Sequence, residues 1–251
     1  MKRKLYKLLE ETPESYYWMG FIMADGHFAG NRLVMGLSIN DEDHLKKLYD
    51  FLECDNTIHK NHIGCGFSMM DSYTVPLLKT KFDINNRKTY NPPKSINWME
   101  NNLKYSFIVG FIDGDGSIIK QYKRKDPYLR IKVHSNWLHI LNEIGFILST
   151  DANVKHVEAR INNQGYANIN LANHILLKHL KRKVNKLKLP VLKRKWSLID
   201  ENHMNKNEVS TYRIEQVTIM MEEGLSNKII RERLKLKKST LSLLQKRNGL
   251  R

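Results

Sequence analysis

Cysteine is nearly absent from this sequence, whose 251 residues include only Cys54 and Cys65. Two cysteines are too few for a disulfide-stapled scaffold and suit a reducing compartment. The chain also lacks a run of about 18 apolar residues, the length that a membrane-spanning helix needs. Its basic N-terminus lacks the apolar region of a signal peptide. These absences predict a soluble intracellular protein, in cytoplasm, nucleoid or organelle matrix, with no membrane partner.

Negative charge is also scarce. The chain has 42 Lys and Arg against 26 Asp and Glu, a net charge of +16. The excess is concentrated in the Leu-rich segments 178–195 and 226–251. Such an excess usually persists because a polyanion neutralises it, which favours a nucleic-acid partner. The alternative is a solvated basic face.

The sequence repeats itself. "WMGFIMADG" begins at Trp18 and "IVGFIDGDG" at Ile108, 90 residues later. A 96-residue offset carries the strand-like "LVMGLSI" onto "LRIKVHS", and the six extra residues fall in a longer hairpin loop. Each half reads as helix, strand, strand, helix, strand, strand, helix. The pattern predicts an α+β core of two similar halves, residues 1–98 and 99–200.

A different pattern follows the core. A polar linker is predicted over 201–210, and three short helices over 211–251, with Gly224 ending the first and Ser226 capping the second. Their length and charge favour a helix-turn-helix domain that binds DNA, although a three-helix module without DNA is the alternative. The candidate contacts in its last helix are Lys238, Ser239, Thr240, Ser242, Gln245, Lys246 and Arg247.

Small residues recur four apart in both motifs, as Gly20 with Ala24 and Gly110 with Gly114. On a helix this spacing puts them on one face. Missing side chains there let two helices approach closely. We therefore expect the two motif helices to pack against each other.

Each motif ends in an acid and a glycine, Asp25 with Gly26 and Asp115 with Gly116. We expect each glycine to end its helix in left-handed geometry. The acids would then lie at helix C-termini, where the helix dipole disfavours a carboxylate. Two such acids side by side require a compensating positive charge, and a hard divalent cation such as Mg²⁺ supplies it.

With these residues, the two motifs resemble the paired LAGLIDADG motifs of single-chain homing endonucleases, over about 200 residues. Both diagnostic final acids are present, and Met23 replaces the inner acid that Asp113 retains. The resemblance implies a pseudo-twofold pair of αββαββα halves forming a DNA-binding saddle. It also implies a monomer that hydrolyses one phosphodiester in each strand of a long duplex target with Mg²⁺, for which Mn²⁺ or Ca²⁺ can substitute.

The resemblance also implies site residues. Asp25 and Asp115 would bind metal together with the carbonyls of Ala24 and Gly114. The family places a basic residue near each scissile phosphate, and the best matches are Lys88 in "INNRKTY" and Lys195 in "KLPVLKRKW". The alternatives for these catalytic lysines are Arg87, Lys193 and Arg194. Asn40 and Asn136, matched by the 96-residue offset, are weak candidates for orienting water.

Alternation along the strands separates a core face from a face that can lie in the major groove. In "LRIKVHS" the polar face carries Arg130, Lys132 and His134. The other expected DNA contacts of the two halves are Asn31, Arg32, Ser38, His59, Lys60, His62, Lys120, Gln121, Tyr122, Lys123, Arg124, Lys125, Arg160, Asn162, Asn163 and Gln164.

Three other interpretations remain open at this point. The sequence "CDNTIHKNHIGC" brings Cys54, His59, His62 and Cys65 within twelve residues, but the spacing is unusual for a zinc site. A non-cleaving DNA-binding regulator would have no use for both motif acids. A splicing cofactor that binds intron RNA is compatible with the sequence as a second activity.

Overall fold

The computed structural model describes residues 4–55, 57–121, 126–201, 206–247 and 249, with the side chains of 206–208 and 247 left undescribed. The chain divides into two compact units, Met1–Glu201 and Asn202–Arg251. Within the described residues, no helix combines the length and apolarity that crossing a bilayer requires.

The first half of the larger unit follows the predicted order of elements. In chain order these are α1 (Pro13–Asp25), β1 (His27–Ala29), β2 (Arg32–Ser38), α2 (Glu42–Phe51), β3 (His59–Lys60), β4 (Gly64–Met70) and α3 (Thr74–Lys81). Thr12 starts α1, because its side chain accepts from Ser15 N and Pro13 occupies the first turn. A 3₁₀ turn, Ile39–Asp41, connects β2 to α2.

The second half repeats this order. Its elements are α4 (Asn101–Asp115), β5 (Gly116–Ile119), β6 (Tyr128–His134), α5 (Leu138–Asp151), β7 (Arg160–Ile161), β8 (Tyr166–Leu171), α6 (His174–Lys186) and α7 (Lys193–Trp196). A 3₁₀ turn, Ser135–Trp137, connects β6 to α5. The predicted αββαββα repeat is thus confirmed by the structure.

Each half contains one four-stranded antiparallel sheet. Sheet A has the strand order β1-β2-β4-β3, and sheet B has the equivalent order β5-β6-β8-β7. The inner face of each sheet packs on helices, α1 and α2 for sheet A and α4 to α6 for sheet B. On the opposite, outer face, alternate side chains such as Arg32 of β2 and Arg130 and Lys132 of β6 are exposed.

The two motif helices α1 and α4 pack directly on each other at the centre of the core. A Cβ added to Gly20 would lie 1.9 Å from Phe107 O, and one added to Gly110 would lie 1.9 Å from Tyr17 O. Backbone thus touches backbone, as the spacing of the small residues predicted. The large side chains that flank this contact, such as Trp18 and Phe111, are buried.

The predicted left-handed ends of the motif helices are wrong. Gly26 has φ −78° and ψ 165°, and Gly116 has φ −89° and ψ 159°, so both are extended. Glycine is needed there because space is short. A Cβ would lie 2.7 Å from Ile22 O at Gly26 and 2.6 Å from Ile112 O at Gly116.

The described part of the smaller unit forms three helices, α8 (Lys206–Glu222), α9 (Asn227–Leu234) and α10 (Lys238–Arg247). Helix α8 begins within the span expected to be a linker. Gly224 has φ +75° after α8, and Ser226 Oγ accepts from Ile229 N at the start of α9, as expected. A small apolar core of Val217, Ile230, Leu236 and Leu241 holds the three helices together.

The contact between α1 and α4 yields a stability prediction. Gly110→Ala is expected to destabilise the protein by about 3 kcal/mol or more, because the new methyl group can be accommodated only by separating two backbones. Gly36→Ala is the control, because a Cβ there has no atom within 4 Å. It is expected to change the stability by less than about 1 kcal/mol. Urea denaturation of both variants measures the difference, and equal effects would contradict this packing.

Candidate active site and nucleic-acid interface

The motif acids lie at the adjoining C-terminal ends of α1 and α4. A Cβ added to Gly114 would lie 2.2 Å from Ala24 Cβ and 3.3 Å from Asp25 Cγ. Asp25 reaches solvent and Asp115 is half-buried. The structure therefore brings together the residues predicted to hold a metal.

The surroundings disfavour charge on both acids. Burial raises the pKa of Asp115 to about 6, and the Asp25 carboxylate adds to this rise. Partial desolvation of its carboxyl group also raises the pKa of Asp25, while the charges of Lys195 and Lys88 oppose that rise. These two lysines lower the pKa of Asp115 as well. The paired acids are thus an unfavourable arrangement that nearby positive charge relieves.

The ammonium groups of Lys88 and Lys195 bind the C-terminal ends of the two motif helices, α1 and α4 respectively. Lys88 Nζ donates to Met23 O and, at 2.6 Å, to Ala24 O. Lys195 Nζ donates to Asp113 O at 2.5 Å and to Gly116 O at 2.6 Å, with Ile112 O at 3.2 Å. Helix-end carbonyls need such partners, since they have no donor within the helix. The compensating positive charge thus comes, at least in part, from the chain itself.

Both lysines are desolvated. Burial lowers the pKa of Lys88 to about 8, although the charges of Asp115 and Asp25 oppose the decrease. Burial lowers the pKa of Lys195 as well. An ammonium group held in such a place is a strong local electrostatic feature, because little water screens it.

The donor set fits a hard cation. The site offers two carboxylates and helix-end carbonyls, and among the described residues no group of three or more His, Cys, Asp or Glu side chains is suited to hold a metal. Mg²⁺ commonly binds one or two carboxylates and keeps several waters or substrate oxygens. Ala24 O accepts from Lys88, and Gly114 O lies 3.5 Å from Lys195 Nζ. The carboxylates are therefore the main protein ligands available.

The zinc alternative is not supported by the geometry. Cys54 Sγ contacts Met69 Sδ at 3.0 Å, and Cys65 Sγ points toward Ser38 O at 3.7 Å. His59 lies exposed on β3. The four side chains therefore do not form one ligand set.

The inner acid of the second motif, Asp113, lies in a buried hydrogen-bond network. Asp113 is 1% exposed and accepts from Tyr17 OH (2.7 Å), Trp196 Nε1 (2.8 Å) and Leu192 N (3.0 Å). Because Tyr17 OH donates to Asp113, its oxygen accepts from His44 Nε2 at 2.9 Å. Burial lowers the pKa of His44 to about 3, so the ring is neutral. This network joins the two halves and consists of residues that the motif alone did not identify as a group.

The outer face of sheet B is polar and preorganised. Arg130 Nε donates to Asn170 Oδ1 at 3.0 Å, and Lys132 Nζ lies 3.0 Å from Gln164 Oε1 and 4.4 Å from the Tyr166 ring centre. The register pairs Lys132 with Asn168 on the same face. Asn168 and Asn170 were missed by the sequence analysis, although the alternation in "YANINL" was the signal for them.

The outer face of sheet A carries smaller side chains and fewer basic ones than that of sheet B. Gly36 pairs with Gly66, where sheet B pairs Lys132 with Asn168. Arg32 contacts Ser68 Oγ at 3.3 Å. A groove of about 670 Å³ runs from this face to Asp25, and its lining also includes Gly36, Gly66, Arg194 and Lys195.

Several predicted DNA contacts have other partners. Lys60 pairs with Cys65 across the ladder and binds Glu42 at 3.1 Å, and its side chain is 61% exposed. Asn162 Oδ1 accepts from Gln164 N (2.9 Å) and Tyr166 N (3.0 Å), which stabilises the hairpin turn. Asn136, a candidate for orienting water, donates through Nδ2 to Tyr90 O at 2.6 Å.

The remaining predicted contacts are mostly exposed. The predicted contacts in the larger unit whose side chains are exposed are Asn31, Arg32, Ser38, His59, Lys60, His62, Lys120, Gln121, Arg130, Lys132, Arg160, Asn163 and Gln164. His134 is half-buried and contacts the Tyr90 ring at 4.8 Å between centroids. Tyr122, Lys123, Arg124 and Lys125 lie outside the described residues.

In the smaller unit, Lys238, Ser239, Ser242 and Lys246 are exposed along α10, and Thr240 is half-buried. Gln245 Nε2 donates to Asn227 Oδ1 at 2.9 Å and so also stabilises the unit. The side chain of Arg247 lies outside the described part of the chain.

The chain matches no protein-family model and no curated protein sequence. Its fold does match solved structures. A variant of I-SmaMI aligns with a TM-score of 0.53 at 11% identity, over 93% of this chain and 98% of that one. I-DmoI in complex with DNA and Ca aligns with a TM-score of 0.50 at 16% identity, over 77% and 99%. The chain therefore shares the fold of I-SmaMI and I-DmoI.

The raised pKa of Asp115 predicts a pH-dependent stability. Its folded pKa of about 6 exceeds the ordinary value of 3.8, so its contribution to stability is present below about pH 4 and is lost as the pH rises through 6. Without divalent metal, Asp115→Asn is therefore expected to stabilise the protein at pH 7.5, by at most about 3 kcal/mol, and to have a much smaller effect at pH 4.5.

Urea denaturation in the presence of a chelator, at both pH values, measures this difference. Glu158→Gln, at an exposed position, is the control and is expected to have little effect at either pH. An Asp115→Asn effect that is the same at both pH values would show that Asp115 does not titrate as described.

Proposed function

We propose that this protein is a site-specific DNA endonuclease that hydrolyses one phosphodiester in each strand of a duplex with Mg²⁺. The observation that carries this proposal is the pair of acids, Asp25 and Asp115, at adjoining helix ends that also hold Lys88 and Lys195. The likeness to I-DmoI, a protein crystallised with DNA and Ca, supports the proposal. The two halves lie in one chain, so a monomer supplies both sites.

Each group of the site has a separate role. Asp25 and Asp115 would hold Mg²⁺, which would supply Lewis-acid chemistry at the phosphate. Lys88 and Lys195 place a positive charge near each scissile phosphate, where it stabilises the charge that develops in the transition state. Asp113 is excluded from metal binding, because three donors already occupy its buried carboxylate.

The outer faces of the sheets bind the duplex. Arg130 and Lys132 are exposed on sheet B beside Asn168 and Asn170, a mixture of phosphate-binding and base-reading groups. The helix pair α9 and α10, with its basic exposed side chains, binds a further stretch of DNA as a helix-turn-helix. Tethering such a module to the saddle raises its effective concentration.

Conservative changes of the motif acids test the catalytic assignment. Asp25→Asn and Asp115→Asn are each expected to reduce cleavage of one strand by roughly a hundredfold or more and to preserve DNA binding, because they remove charge but little volume. The substrate is a duplex recovered by binding selection from a pool of random sequences with Ca²⁺. Asp50→Asn, at an exposed position of α2, is the matched control.

Strand-specific nicking with Mg²⁺ and with chelator provides the measurement. Full cleavage by the double variant would refute the catalytic assignment. Selective binding without any cleavage by the unchanged protein would instead favour a non-cleaving regulator.

Salt dependence tests the binding surface. Each phosphate contact that is lost should reduce the slope of log affinity against log salt by about one. We expect this change for Lys132→Ala. Lys46→Ala, at an exposed position of α2, should leave the slope unchanged. Fluorescence anisotropy at four salt concentrations would measure both slopes, and equal slopes for the two variants would rule out sheet B as the phosphate-binding face.

A further inference from the structure

The segment that carries Lys195 is held by residues of the first half. Arg194 donates to Asp41 through two bonds of 2.7 Å, Nε to Oδ1 and Nη2 to Oδ2. Lys47 Nζ reaches the carbonyls of Pro190 (3.3 Å) and Val191 (3.4 Å). A bidentate guanidinium pair restricts orientation as well as distance. The main chain beside Lys195 is therefore attached to the opposite half.

The segment that carries Lys88 is held by residues of the second half. Trp137 Nε1 donates to Lys88 O (3.2 Å) and Thr89 O (3.1 Å), and Asn136 Nδ2 donates to Tyr90 O at 2.6 Å. Arg87, just before the lysine, has φ +54°, a conformation that side-chain-bearing residues rarely adopt. Such a turn persists where its surroundings determine it, and here those surroundings come from the other half.

The two contacts occupy equivalent places in the repeat. Moving 96 residues carries Asp41 onto Trp137 and Asn40 onto Asn136. Asp41 ends the 3₁₀ turn after β2, and Trp137 ends the 3₁₀ turn after β6. The same position in each half thus reaches the lysine segment of the other half, once through a carboxylate and once through an indole N–H.

We propose that Asp41 and Trp137 are positioning residues, each of which sets the place of the active-site lysine of the opposite half. The proposal rests on the function proposed above, and it adds that each half helps to position the lysine of the other. Both side chains are largely shielded from solvent, which restricts their motion. Asp41 is 12% exposed in its side chain. Trp137 is 4% exposed and stacks on Phe111 of α4 at 5.3 Å.

The consequence for catalysis follows from geometry. Lys88 and Lys195 act through ammonium groups that bind helix-end carbonyls. A small displacement of the main chain would therefore move the positive charge away from its position beside the phosphate. A misplacement of about 1 Å can cost roughly a hundredfold in rate. Loss of one cross-half contact should therefore weaken one site and leave the other intact.

The test uses Asp41→Asn, which removes the charge that Arg194 binds, and Trp137→Phe, which keeps an aromatic ring but removes the N–H. Nicking of each strand of the selected duplex is measured with Mg²⁺ in the full-length protein. Lys195→Ala and Lys88→Ala identify the strand that each lysine serves. We expect Asp41→Asn to slow the Lys195 strand by roughly 10- to 100-fold and Trp137→Phe to slow the Lys88 strand similarly.

Rescue and a DNA-free measurement complete the design. Asp41→Glu keeps the carboxylate and should recover part of the lost strand rate, whereas a purely steric role would predict no recovery. Amide hydrogen exchange should increase at 191–196 in Asp41→Asn and at 88–91 in Trp137→Phe, each without a change in the other segment. This readout needs neither DNA nor metal, so it does not depend on the nuclease assignment.

The outcomes separate the two proposals. Equal slowing of both strands by each variant, or slowing of the strand served by the lysine of its own half, would overturn the positioning roles. Unchanged hydrogen exchange at both segments would also overturn them. If the unchanged protein nicks no recovered duplex, the proposed function fails and the catalytic inference fails with it, whatever the exchange data show.

Discussion

The arrangement of the whole site depends on the contact between the backbones of α1 and α4. Only hydrogen atoms fit between the helices at Gly20 and Gly110, where a Cβ would lie 1.9 Å from a carbonyl oxygen. Because this contact lies one to two turns before the helix ends, it also sets how close those ends come. Two acids placed by a looser, side-chain-mediated interface would be too far apart to share a reaction centre.

This closeness creates an electrostatic problem that the chain partly solves by itself. Two helix C-termini and two carboxylates concentrate negative charge, and burial raises the pKa of Asp115 to about 6. Lys88 and Lys195 reduce that charge by binding the helix-end carbonyls. The chain segment that carries each lysine is in turn bound by a residue of the opposite half. The site is therefore a joint product of both halves, in its acids and in its basic groups.

Much of this could be predicted from the sequence, because the repeat carried redundant information. Two motifs 90 residues apart, followed by elements offset by 96, predicted the two halves, the order of elements and the approach of Asp25 to Asp115. The left-handed conformation predicted for Gly26 and Gly116 was wrong, because glycine can follow a helix for lack of space as well as for a left-handed backbone. In the structure, a Cβ at either position would lie within 3 Å of the last turn of its own helix, at Ile22 or Ile112.

The contacts between the halves were beyond sequence reasoning for a related reason. Strand alternation and helical spacing predict which face a side chain occupies, but not which distant segment meets that face. Asp41 and Trp137 look unremarkable in the sequence, as an acid before a helix and an aromatic residue in a turn. Their partners lie 153 and 49 residues away, at Arg194 and Lys88, and only the folded chain brings them together.

The two halves share a backbone plan but have diverged in side chains at matched positions. Met23 corresponds to Asp113, Gly36 to Lys132 and Asp41 to Trp137. In a dimer of identical subunits, a change in one half would necessarily appear in the other. A single chain with two halves escapes this constraint, so one sheet can present Lys132 and Asn168 where the other presents two glycines. Under the proposed function, shared backbone geometry keeps the two sites side by side, and unequal sheet faces suit a duplex whose two halves differ in sequence.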